Sequence, residues 1–231
     1  HFLANDFSFY ETRYVNAHID YELKQIENKK IHYLFRKPNN KLSMYKHLKN
    51  DGILIPKPGE NYNITITIRD VAGNSSILEF NVLGIDESCI KKQNSIPTDG
   101  INYWYKTNDI SNHLIRFIIP EGALYENAKI SYFRRERKSM DPYIHIIGDP
   151  TIPLHKYATL SIHLKNIPPK YRKHALIAYH KNNEISAENG DVKGQWITTK
   201  IRNLGEYTIE IDTIPPTIKP LNIFPGKTMT G

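Results

Sequence analysis

Tyr62-Asn63-Ile64-Thr65-Ile66-Thr67-Ile68-Arg69-Asp70 places an apolar side chain at every second position. Side chains of an extended strand alternate between faces, so Tyr62, Ile64, Ile66 and Ile68 share one face and Asn63, Thr65, Thr67 and Arg69 the other. That is the pattern of a half-buried β-strand. Asp70-Val71-Ala72-Gly73-Asn74 follows, and Gly73 and Asn74 tolerate the positive φ that a tight reversal needs. Ser76 to Val82 is therefore predicted to return as the second strand of a hairpin.

The same punctuation continues along the chain. Pro120-Glu121-Gly122, Asp149-Pro150, Pro168-Pro169 and Asn189-Gly190 separate short runs of β type. Strands are predicted at 114–119, 129–134, 143–147, 158–164, 175–180, 194–201 and 205–211, a number and spacing that suit a β-sandwich. One stretch departs from period two. Ile19, Leu23, Ile26, Tyr33 and Leu34 recur at intervals of about three to four, which predicts an amphipathic helix over 19–35, ended before Pro38.

The expected fold class is all-β, with tandem immunoglobulin- or fibronectin III-like sandwich modules and one helix in the first. The expected divisions are a first module over 1–85, a polar linker over 86–102, a second module over 103–212, and a connector opening a third module over 213–231. The chain enters a patterned apolar run at Phe2 without an initiator Met, and it stops at Gly231 just after the Pro215-Pro216 connector. Both ends read as the inside of something longer.

Composition narrows the function. With 39% hydrophobic residues in 231, the chain is long enough to bury its own core. No run approaches the roughly 18 apolar residues of a membrane-spanning helix. The one cysteine, Cys89, permits neither an intrachain disulfide nor a cysteine-based zinc site. Thirty-one Lys and Arg against 24 Asp and Glu give a charge of +7, which favours an acidic partner.

Candidate chemistry is sparse. His18 and Asp20, two residues apart, would face one side of a strand as two metal ligands, or would cap and hydrogen-bond the start of the helix. The second alternative is preferred. His145 and Asp149 offer a similar pair, in which Ile146 and Ile147 favour a strand entering a turn. There is no His-x-His, no His-Glu-x-x-His, no Gly-x-Ser-x-Gly and no phosphate-cradling glycine loop. Arg134, Arg135, Arg137 and Lys138 form a basic run that could meet a polyanion, with no nucleic-acid-binding motif beside it. Fifteen tyrosines, Trp104 and Trp196 could line a glycan-stacking surface.

Three stretches carry a resemblance to a known family. Asp6 to Tyr21, Phe35 to Tyr45 and Asp70 to Asn74 resemble the region that follows the catalytic domain in exported zinc peptidases of the lysostaphin/LytM type from Bacteroidetes. Ile119 to Leu124 and Leu204 to Pro216 are similar to the next β-sandwich of those proteins, and the tail after Pro216 is similar to the opening of a further immunoglobulin-like module. The resemblance implies a noncatalytic accessory region, with no cofactor of its own and zinc only in a catalytic domain outside this chain. It also implies export to the periplasm or the outer-membrane-associated envelope, and envelope proteins or peptidoglycan as partners. Two readings from other classes stand beside it: a glycan-binding or adhesin-like module, and an active zinc hydrolase completed by residues outside the chain.

Overall fold

The computed structural model describes residues 11–86 and 100–218. Cys89, most of the expected linker and the far end of the expected third module lie outside the described residues. The chain forms two compact units. One comprises His1–Thr107, Glu121–Ile130 and Thr151–Lys156; the other comprises Asn108–Pro120, Ser131–Pro150 and Tyr157–Gly231. The early strands are β1 Asn61–Arg69, β2 Ser75–Leu83, β3 Ile101–Asn102, β4 Asn108–Ser111, β5 Ile115–Ile119 and β6 Ala128–Lys129. The later ones are β7 Tyr132–Glu136, β8 Tyr143–Ile147, β9 Ala158–His163, β10 Ala175–Lys181, β11 Glu184–Ala187, β12 Asp191–Lys193, β13 Trp196–Ile201 and β14 Gly205–Ile211.

The protein is mostly β, with two five-stranded antiparallel sheets, both in the second unit. Their strand orders are β11-β10-β14-β8-β7 and β12-β13-β9-β5-β4. Alternation explains the core. In β9, Ala158, Leu160 and Ile162 are fully buried while Thr159, Ser161 and His163 are half-exposed. Ile115, Phe117 and Ile119 of β5 and Ile197 and Ile201 of β13 continue the buried face of that sheet. Ile147, Ile177, Tyr207 and Ile209 supply the buried face of the other, and β10 approaches β13 across the gap. Each fully buried aliphatic or aromatic side chain contributes about 1.5–3 kcal/mol of transfer free energy, which makes this face-to-face packing the main stabilising term of the unit.

Tyr207 closes the corner between β13 and β14. Its hydroxyl donates to the Asn203 carbonyl four residues upstream, at 2.6 Å, the arrangement known in sandwiches as a tyrosine corner. Burial, reinforced by Tyr179 and Glu188, pushes its phenol well above the usual tyrosine range, so it stays a donor. Gly205 opens β14 at φ +135°, where a Cβ would stand 3.1 Å from the Tyr179 ring.

The first unit is built differently. Among the described residues its 11–86 segment carries two short α-helices, α1 Val15–His18 and α2 Tyr21–Glu27, and one hairpin; the module expected over 1–85 is an N-terminally incomplete sandwich with an inserted helix, and the hairpin supplies two strands of it. The stretch between residues 38 and 60 adds no strand to them. Pro38, Pro56 and Pro58 each remove a ladder donor, and His47, Asn50 and Asp51 all hold positive φ, so no further strand of useful length can form there. Leu42, Met44 and Tyr45 form a small buried cluster with Tyr14 and Leu48 packed on it.

The expected helix over 19–35 is the shorter α2. Asp20 caps it, its carboxylate accepting from Leu23 N at 3.0 Å, and Asn28 ends it in the left-handed region at φ 55°. The chain then doubles back, with Asp20 N donating to the Ile31 carbonyl and Tyr33 N to that of His18, both at 2.8 Å. Asn39 fastens this unit internally: its side-chain amide donates to the carbonyls of Leu124 at 2.7 Å and Gly122 at 3.0 Å.

The predicted hairpin forms, with Ile64 opposite Phe80 and Ile66 opposite Leu78. Its turn is held by the Asp70 carboxylate, which accepts from the Asn74 side chain at 2.7 Å and from Ala72 N and Asn74 N at 2.9 Å. Gly73 takes φ +90° in the reversal.

Candidate functional site

The structure puts His18 and Asp20 to separate uses. His18 ends α1 and is buried, its Nδ1 2.8 Å from the Tyr45 hydroxyl and its ring 4.9 Å from that of His32. Burial, with His32 nearby, holds its imidazole below the ordinary value and so favours the neutral ring. Asp20 caps α2 and lies close enough to Tyr33, with Glu126, to reinforce the effect of burial in pushing that phenol up to about 12. Among the described residues, no group of three or more His, Cys, Asp or Glu is placed to hold a metal ion.

The basic run lies on β7 and just beyond it, at the edge of the first five-stranded sheet. Two of its arginines are neutralised by β14. Arg135 Nη2 donates to both carboxylate oxygens of Glu206 at 3.0 and 3.1 Å, and Arg137 meets Glu210 at 2.5 Å while donating to the Ile209 carbonyl at 2.6 Å. Arg134 lies 4.9 Å over the Tyr143 ring, and Lys138 is exposed. The charges that looked available in sequence are thus largely spent across the sheet.

Two surfaces remain. The first unit holds a cleft of about 220 Å³ whose walls include Asp20, Glu22 and Glu126 with Tyr21, Tyr33 and Tyr125. Carboxylates and tyrosine rings together suit a cation, and the chain supplies one itself: Lys37 Nζ sits 2.8 Å from Glu126 and 4.9 Å over the Tyr33 ring.

The second surface is the outer face of the β12-β13-β9-β5-β4 sheet. Because Ile115, Phe117 and Ile119 point inward, Arg116 stands on the outer side of β5, and the ladder sets it opposite Ser111 of β4 and Ser161 of β9. Ser161 pairs in turn with Thr198 of β13, their hydroxyls 2.8 Å apart. In the next row His163 faces Trp196, the rings edge-to-face at 4.8 Å. The Arg116 guanidinium lies 4.3 Å over the Trp196 ring and makes no hydrogen bond or ion pair among the described residues. His163 Nδ1 is buried and likewise has no partner among them. Sequence reading singled out Trp196 only among the aromatics and passed over Arg116 and His163. Their signal is the strand register, which joins residues 80 positions apart.

Residues 100–212 match the family model of the Zu5-like domain, a span that holds every strand from β3 to β14. No curated protein and no solved structure matches the chain.

Proposed function

We propose that the chain is a noncatalytic accessory region of an exported zinc peptidoglycan peptidase-family protein, which positions or regulates cell-wall hydrolysis or docks the hydrolase in an envelope assembly. The observation that carries the noncatalytic part is the use made of His18 and Asp20. They are the residues nearest to ligand spacing in the stretch that bears the family resemblance, and one bonds Tyr45 while the other caps a helix. Zinc then belongs to a catalytic domain on residues outside this chain, and the partners of this region are envelope proteins or peptidoglycan in the periplasm or at the outer membrane.

The test is a matched pair of proteins, residues 1–231 and a natural chain extended upstream, each assayed for bound zinc and for cleavage of muropeptides. Zinc and cleavage in the longer protein alone are expected. Stoichiometric zinc or cleavage by residues 1–231 would overturn the reading.

A second reading, a glycan-binding or adhesin-like module, has its own support in the face that carries Trp196, Arg116, Ser161 and Thr198, where an aromatic ring, a cation and hydroxyls lie side by side.

A further inference from the structure

We propose that the outer face of the β12-β13-β9-β5-β4 sheet binds an acidic polysaccharide and that Arg116 is the group that receives the sugar carboxylate. The proposal rests on the glycan-binding reading and specifies its ligand.

A cation over an aromatic ring is held by the ring's quadrupole and spends no hydrogen-bond donor on the contact. Trp196 therefore holds Arg116, its guanidinium carbon 4.3 Å from the ring centre, while its N–H donors stay without a hydrogen-bond partner among the described residues. Three arginines are in a different condition, Arg36 held by Asp51 at 2.6 Å, Arg135 by Glu206 at 3.0 Å and Arg137 by Glu210 at 2.5 Å; Arg134, over Tyr143, is also unpaired among the described residues but has no row of serine and threonine hydroxyls beside it. An unspent planar fork matches a carboxylate, which can accept two parallel bonds from it.

The surroundings choose the kind of carboxylate. Ser111, Ser161 and Thr198 lie in the same cross-strand row as Arg116, with Asp191 at its far end; Ser111 donates to Asp109 and the Ser161 and Thr198 hydroxyls bond each other, which leaves hydroxyl oxygens beside the charge to accept from a sugar hydroxyl. Five strands at about 4.8 Å spacing make the face roughly 19 Å across, wide enough for a chain of sugar rings to lie on it. The backbone groups between the strands are paired in the ladders, so this face offers none of the main-chain hydrogen bonds by which a sheet edge captures an extended peptide. Charge agrees. Arg116, Lys193 opposite Trp196, and Lys200 are exposed cations on the same outer side and outnumber its exposed carboxylates, Asp109 and Asp191, in a chain of net charge +7.

The test is retention of residues 1–231 on immobilised polygalacturonate, neutral dextran and poly-glutamate in parallel, at about 0.15 M salt so that non-specific charge is screened. Preferential retention on polygalacturonate is expected. Arg116→Gln should weaken it by about tenfold, the worth of a charged hydrogen-bonded contact, and Arg116→Lys should also weaken it because an ammonium cannot fork. Arg135→Gln should leave retention unchanged. Thermal unfolding of each variant checks that the fold is intact, and the Lys variant keeps the test decisive if the Gln variant unfolds.

Equal retention of the Arg116 variants and the parent would overturn the assignment of Arg116. Retention on poly-glutamate as strong as on polygalacturonate would replace the sugar ligand with an acidic peptide or bare charge. Retention on dextran alone would sink the acidic specification and leave the glycan-binding reading standing, whereas no retention on either polysaccharide would remove both.

Discussion

The β1–β2 hairpin and the β9–β13 pair are both antiparallel and both alternate apolar with polar residues, yet they live in opposite environments. Ile162 and Ile197 face each other in register and are fully buried between two sheets. In the hairpin, Ile68 is 69% exposed and Leu78 58% exposed, although their pattern is the cleaner of the two. Period two records that a segment is extended and two-faced. What covers the apolar face is decided by elements far away in sequence, and two strands alone cannot cover their own.

The comparison can be broken most forcefully in the core. Leu160→Ala empties a fully buried site in β9 and should cost about 2–5 kcal/mol, read as a fall in the urea midpoint. A loss below about 1 kcal/mol would mean that the sandwich is not the stable centre of the protein. Next comes the corner: Tyr207→Phe leaves the Asn203 carbonyl without its 2.6 Å partner and should cost about 1–3 kcal/mol with the fold retained. The hairpin should respond least. Ile68→Thr, on a mostly exposed β-branched position, should change global stability by no more than about 0.5 kcal/mol, and a larger loss would show that the apolar face is covered in solution.

The first unit carries a pH dependence of its own. His18 is held below its ordinary value, so the unfolded chain binds its proton more readily than the folded one. Stability from this group is complete above the ordinary histidine value and declines as pH falls toward the lowered folded value. The unfolding temperature should therefore drop as pH falls below about 6.5, and His18→Gln should flatten that part of the curve. An unchanged slope in the variant would assign the acid sensitivity to other groups.

Much of the sandwich was legible because buried strands must be apolar. Tyr143–Ile147 and Gly205–Ile211 match the predicted strands at both ends. Of the strands that escaped notice, β4, β11 and β12 lie at sheet edges and β3 is a two-residue partner of β6, and all four residues of β11 are exposed. An edge strand is held by its backbone ladder and needs little hydrophobic pattern of its own. The helix over 19–35 was overextended because Ile26 and Leu34 keep helical spacing while standing 65% and 52% exposed. Asn28, which stops α2, is a weaker signal in a sequence than a glycine would be.

The candidate site was illegible for a different reason. The Arg134–Lys138 run was visible as charge, but its neutralising partners Glu206 and Glu210 lie 71 and 73 residues further on. Arg116 was the reverse case, a solitary arginine in an apolar strand that becomes notable only when the ladder brings Trp196 beside it.

The hairpin has one more consequence, for how the protein behaves in concentrated solution. Its strands are nine residues long, and among the described residues neither outer edge pairs with a third strand. The sandwich ends instead in edge strands of three to five residues. Short edges give a neighbouring molecule little to add to, whereas two long ones beside exposed Leu78 and Phe80 form a template for edge-to-edge self-association. The hairpin is thus where aggregation should begin, and a lysine at an exposed apolar position such as Leu78 is the substitution that should keep the protein in solution.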